Sequence, residues 1–223
     1  MMTPFAELLE RATARAGGPR ALEAELPQPK SAAELRAVGD DRYLSLMSRR
    51  VFRAGLKHAL VDAKWPAFEA AFHGFEPHAV RAMSDEDLER LMGDKRLIRH
   101  FPKMKAVRAN AAALLEAAAE HGSFGAYLAD WPAADIVGLW GDLGKRFSQL
   151  GGNSAPAFLR MAGKDTFIIT GDVGRGLVET GACERPPKTR AELKAAQAAF
   201  NAWAEEGRRP LCQVSKVLAL AVG

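Results

Sequence analysis

Cysteine is almost missing from this 223-residue chain, which has only Cys183 and Cys212. That excludes a disulfide scaffold and a cysteine-rich zinc or iron–sulfur centre, and makes the cytoplasm the expected compartment. No apolar run approaches the about 20 residues that cross a bilayer, and Met1–Arg11 carries glutamates where a secretory signal needs an unbroken apolar stretch. No membrane contact is expected. Long runs of β-branched residues are also lacking, which argues against a sheet. What remains is an ordinary globular composition, 48% apolar and 26% charged, of a size for one domain or two packed lobes.

The net charge of +4 is too small to announce a nucleic-acid partner, but its distribution is uneven. Lys95, Arg96, Arg99, Lys103, Lys105 and Arg108 form one stretch without an acid, and Arg42, Arg49, Arg50, Arg53 and Lys57 form another. Such stretches are commonly solvated helix faces. Two of them in one chain also make a candidate phosphate-facing surface.

Apolar residues recur at three- and four-residue spacing nearly throughout, so the expected class is all-α. Helices are predicted over Pro4–Ala16, Asp40–Phe52, Leu56–Ala63, Pro66–Phe72, Pro77–Met83, Asp85–Met92, Pro102–Glu120, Phe124–Leu128, Ala134–Leu139, Asp142–Ser148, Asp172–Gly181, Thr189–Ala204 and Pro210–Leu220. Ser31 with Glu34, Ser84 with Asp87, and Thr189 with Glu192 have capping-box spacing. Residues 1–30 read as a helical extension closed by the linker Leu26–Lys30, and residues 31–223 as the main domain. Phe167–Thr170 reads as an extended loop. Asp172 is placed to cap the helix that follows.

Phe147-Ser148-Gln149-Leu150-Gly151-Gly152-Asn153-Ser154-Ala155, lying between two predicted helices, resembles the hairpin of helix–hairpin–helix DNA-binding proteins. Glycines let such a turn take positive φ and let a phosphate approach the backbone, while the amino end of the next helix presents unpaired N–H groups. Gly151, Gly152, Asn153 and Ser154, with Lys145 and Arg146 beside them, are the candidate phosphate contacts. Arg208, Arg209 and Lys216 could reinforce them. Asp172 follows Gly151 by twenty-one residues, close to the position of the aspartate in the helix–hairpin–helix glycosylase superfamily.

The middle of the chain carries a second pattern. Ala54-Gly55-Leu56 through Phe72-His73-Gly74-Phe75-Glu76-Pro77, then Leu97-Ile98-Arg99-His100, Lys103 and Asn110-Ala111, resembles the DNA-3-methyladenine glycosylase I family. With the hairpin, the resemblance extends from about Asp40 to Gly181. It implies an all-α, two-lobed helix–hairpin–helix glycosylase fold that binds double-stranded DNA as a monomer and hydrolyses the N-glycosidic bond of a damaged base. An alkylated purine is the expected lesion. Departures are also visible. Arg50 stands where the family has its base-recognising glutamate, His58 where it has a tryptophan, and the Cys and His residues of its zinc clasp are missing. No metal and no other cofactor are expected.

Excision requires a flipped nucleotide, apolar walls for the base, and an anion near the developing oxocarbenium sugar. Asp172 is the expected catalytic carboxylate. Arg50, Tyr43, Phe52, His58 and Trp65 are the candidate base contacts, although Phe52 and Trp65 also fit core spacing. A non-catalytic module that holds DNA or damaged DNA on the same scaffold stays open, as does an all-α adaptor whose basic stretches are merely solvated.

Overall fold

A computed structural model describes residues 2–222. Fourteen α-helices and two short 3-10 turns account for the ordered structure, and no β-strand occurs among the described residues. No helix among them is long and apolar enough to cross a membrane. The chain divides into two compact units that interleave in sequence, one from residues 1–30, 132–139 and 163–223, the other from residues 31–131 and 140–162. Residues 1–30 therefore share a core with the C-terminal third.

The second unit holds α3 (Ala32–Ala37), α4 (Asp40–Arg53), α5 (His58–Ala71), α6 (Pro77–Ala82), α7 (Asp85–Leu91), α8 (Phe101–His121), α9 (Phe124–Asp130), the later part of α10 (Ile136–Arg146) and α11 (Ser154–Ala162). Helix α4 packs against α5, α8 and α11, burying Tyr43, Leu44, Met47, Val51 and Phe52. Both local capping boxes form as spaced, Ser31 with Glu34 and Ser84 with Asp87. The two helices expected at Leu56–Ala63 and Pro66–Phe72 are instead one, α5, which runs through Pro66. An interior proline costs about 3 kcal/mol, and burial of its neighbours offsets that cost. Trp65 stacks on Phe68 at 5.1 Å and on Phe75 at 5.4 Å, while Phe68 lies 4.5 Å from Phe52. Breaking the helix at Pro66 would dismantle that aromatic column.

The other unit contains α1 (Phe5–Ala16), α2 (Pro19–Glu25), the start of α10, α12 (Gly171–Glu179), α13 (Arg190–Gly207) and α14 (Leu211–Val222). Helix α14 is buried between α1 and α12. The Phe167 ring stacks on Phe200 at 4.1 Å, and the Trp203 indole N–H donates to the Thr3 carbonyl at 2.9 Å. Phe167–Thr170 is extended without sheet partners, as its position after Gly163 suggests. The helices expected at Ala134–Leu139 and Asp142–Ser148 merge into α10, because Gly141 lies within an apolar pattern that stays in phase.

Helix α13 begins with the expected Thr189–Glu192 capping box. The backbone N–H groups of Thr189 and Lys188 donate to the Glu192 carboxylate at 2.8 Å each, and with Arg185 they draw its pKa down to about 2. A carboxylate whose folded pKa is depressed stabilises the fold above its ordinary pKa near 4.5 and loses that contribution as pH falls towards 2. Glu192→Gln is therefore expected to lower the melting temperature at pH 7, with the gap from wild type narrowing steadily between pH 4.5 and 2. Thermal melts across that range check this, and a gap independent of pH would deny the carboxylate its role.

Candidate functional site

The glycine turn is open to solvent. Gly151, Gly152 and Asn153 are all exposed between α10 and α11, and Gly152 takes φ +57°, a conformation that disfavours a side chain. Buried polar and apolar groups hold the turn from below. Asn110, fully buried on α8, accepts from the Ser148 N–H at 2.7 Å and donates to the Ser148 carbonyl at 3.1 Å. Leu150 is fully buried, and Gln149, at φ +61°, donates its amide to the Pro102 carbonyl at 3.1 Å. The Asn110-Ala111 pair of the sequence pattern thus has a physical task as the anchor of the turn. Spacing alone could not assign it, because Asn110 and Ser148 are thirty-eight residues apart.

Ser154 is the first residue of α11, and its N–H donates to the Gly151 carbonyl at 3.2 Å. Lys145 is exposed beside the turn. Arg146 is engaged by two acids, Glu120 at 2.9 Å and Asp142 at 3.0 Å. A phosphate at Arg146 would have to compete with both carboxylates.

Of the candidate base contacts, the structure puts three in the core. Tyr43 is fully buried, donates its hydroxyl to the Leu35 carbonyl at 2.7 Å and meets Phe124 edge-on; burial pushes its pKa up to about 12. Phe52 is fully buried among Trp65 and Phe68. Trp65 is 6% exposed and donates its indole N–H to Ser45 at 3.0 Å and Glu69 at 3.2 Å. Helical spacing brings all three to the inner faces of α4 and α5, where their polar atoms are already satisfied and no ring face is left for a base. His58, by contrast, opens α5 and is exposed.

Arg50 occupies the last turn of α4 and is half-buried. Its guanidinium donates to the Ser154 hydroxyl at 3.4 Å, and its Nε is sealed from solvent without an acceptor. The neighbouring arginines differ. Arg49 reaches Asp62 at 2.8 Å, and Arg53 grips both oxygens of the same carboxylate at 2.7 and 2.6 Å. Lys103 is buried and donates to the carbonyls of Phe52 at 3.3 Å and Ala54 at 2.6 Å, completing the open C-terminus of α4. Burial and the charge of Arg50 hold its pKa below the usual lysine range.

The basic stretches are in part internally neutralised. Arg42 pairs with Glu69, Arg96 with Asp94, and Arg108 with Asp85; likewise Arg209 pairs with Glu23 and Lys216 with Glu25. The partners can lie nearly a whole chain apart, as Lys216 and Glu25 do, which is why counting charges along the chain overstates the free cationic surface.

After α4 the chain turns through Gly55 at φ +77°. Leu56 there is 37% exposed and Leu60 on α5 is 49% exposed, two of the few large apolar side chains that face solvent. Residue order alone does not mark which side chain would fill a vacated base stack. Exposure is the missing signal, and apolar periodicity cannot provide it.

Asp172 stands in the other unit as the second residue of α12, exposed, with one oxygen 2.5 Å from Arg175. It does not cap the helix. Thr170 does, accepting from the Val173 N–H at 3.2 Å, because the helix starts a residue earlier than expected. No cluster of three or more metal-ligating side chains occurs among the described residues.

Residues 36–140 match the family model for methyladenine glycosylase. Over 64 residues the chain is 44% identical to DNA-3-methyladenine glycosylase 1 of Escherichia coli (strain K12), a match that covers 29% of this chain and 34% of that protein. It thus spans about a third of the curated relative's length. Two solved structures are similar in fold. One is a 3-methyladenine DNA glycosylase I in complex with 3-methyladenine, 25% identical with a TM-score of 0.51, covering 64% of this chain and 83% of the other. The second is 3-methyladenine DNA glycosylase I from Staphylococcus aureus, 26% identical with a TM-score of 0.52, covering 62% and 80%.

Proposed function

We propose that this chain, a divergent relative of the methyladenine glycosylase family through its residues 36–140, excises a damaged purine from double-stranded DNA. It acts in the cytoplasm, as a monomer, in base excision repair. The observation that carries this reading is the solvent-open Gly151–Asn153 turn, anchored by Asn110, in a chain similar in fold to a 3-methyladenine DNA glycosylase I.

In the proposed reaction the turn holds a backbone phosphate through its N–H groups, with Lys145 as the nearby cation. Leu56, exposed on its turn, enters the stack as the nucleotide leaves it. The bond from C1′ to the base nitrogen then breaks with its electron pair going to the base, and the sugar develops positive charge. Water attacks C1′. Asp172 is assigned to stabilise that charge and to receive the water's proton; a neutral base takes a proton from solvent as it departs, whereas a cationic alkylated base leaves neutral without one.

The pairing of Asp172 with Arg175 favours a second reading, in which the scaffold binds damaged DNA without cleaving it, since the arginine already neutralises the carboxylate. Labelled duplexes containing 3-methyladenine, 7-methylguanine, hypoxanthine or uracil separate the two. Alkali-labile product from at least one is expected. Leu56→Ala is expected to slow its formation roughly tenfold at saturating protein, because an unfilled stack lets the base return. Tight binding to a damaged duplex without product from any lesion would leave the binder, and salt-insensitive or absent binding would remove DNA altogether.

A further inference from the structure

We infer that Arg50 sets the charge preference of the base site, so that an uncharged 6-oxopurine is accepted and a cationic N-alkylated purine is turned away. This deepens the glycosylase reading and rests on it. Around the last turn of α4 stand Arg49, Arg50, Arg53 and Lys103, and the carboxylate among them, Asp62, is occupied by Arg49 and Arg53. Arg50 has no acid. Its side-chain hydrogen bond is a long one to a neutral hydroxyl, and its Nε is buried without an acceptor. A guanidinium offers five N–H donors in a fixed plane and accepts none, so Arg50 retains unused donor capacity in a partly dry, positive environment.

Its place relates it to the base. The Arg50 carbonyl accepts the Ala54 N–H at 3.2 Å, and Ala54 opens the turn that carries Gly55 and the exposed Leu56. The turn that presents Leu56 is thus hydrogen-bonded to the same last turn of α4 that carries Arg50. The O6 and N7 acceptors of an oxopurine match the guanidinium fork. A purine methylated at N7 blocks that fork, while 3-methyladenine in DNA presents a positive ring and an amino donor. Either would add a further cation to a site whose acid is already used.

The test measures single-turnover excision from duplexes carrying hypoxanthine, 3-methyladenine or 7-methylguanine by wild type, Arg50→Gln and Arg50→Glu, with circular dichroism to verify folding. Wild type is expected to prefer hypoxanthine at least tenfold over either cationic base. Arg50→Gln should lower hypoxanthine excision roughly tenfold, and Arg50→Glu should invert the preference. Equal or greater excision of a cationic base, at a ratio that neither variant changes, overturns the inference and leaves the glycosylase reading standing. If Arg50→Gln instead weakens binding of damaged and undamaged duplexes alike, with a shallower salt slope, Arg50 is a phosphate contact and the inference is wrong. Wild type inactive on every duplex removes the proposed activity, and this inference with it.

Discussion

Asp172→Asn is expected to slow base excision by about 10²–10⁴-fold, the range that a positioned acid or base supplies, while duplex affinity stays within about threefold. The substitution keeps the shape of the side chain and removes its charge. Folding has little reason to suffer. The carboxylate is exposed, its helix is capped by Thr170 rather than by Asp172, and what it gives up is a surface pair with Arg175. An exposed pair one helical turn apart contributes at most a few tenths of a kcal/mol. Rate and stability are thus separable in this variant. A companion, Arg175→Gln, frees the carboxylate: a catalytic Asp172 should then work as well or better, whereas a binder should respond to neither change. Single-turnover rates with duplex affinities measured in parallel decide it, and an unchanged rate in Asp172→Asn would remove Asp172 from the chemistry.

Phe68→Ala is expected to destabilise the unit that contains the glycine turn by about 3–5 kcal/mol, the cost typical of deleting a buried phenyl ring. Phe68 is fully buried at the centre of the aromatic column, 4.5 Å from Phe52, 5.1 Å from Trp65 and 6.2 Å from Phe72. Removing it strips contacts from three rings at once, and it withdraws support from helix α5 around Pro66. Because Phe52 and Trp65 define how α4 meets α5, the Gly55 turn and Arg50 should loosen together. Urea unfolding followed by near-ultraviolet circular dichroism measures the loss, and Phe68→Leu should recover more than half of it by refilling the volume. A change below about 1 kcal/mol would contradict a buried, well-packed Phe68.

The helical character of the chain, its capping boxes and the existence of the glycine turn were legible from residue order. Ser31 with Glu34, Ser84 with Asp87 and Thr189 with Glu192 act across three residues, a distance over which the backbone itself dictates who meets whom. The exposed turn at Gly151–Asn153 belongs with them, because glycine's freedom at positive φ is a local property.

Tertiary structure alone decided the rest. It packed Tyr43, Phe52 and Trp65 into the core, since a ring at helical spacing can face either a ligand or a core, and only the neighbouring helix determines which. It paired several cations with acids remote in sequence, as Glu69 does for Arg42 and Glu120 for Arg146, while the Arg50 side chain reaches only a neutral hydroxyl. It carried α5 through Pro66 and joined residues 1–30 to the C-terminal third. Each outcome depends on contacts between segments far apart along the chain, whose free energies exceed the local preferences that residue order expresses.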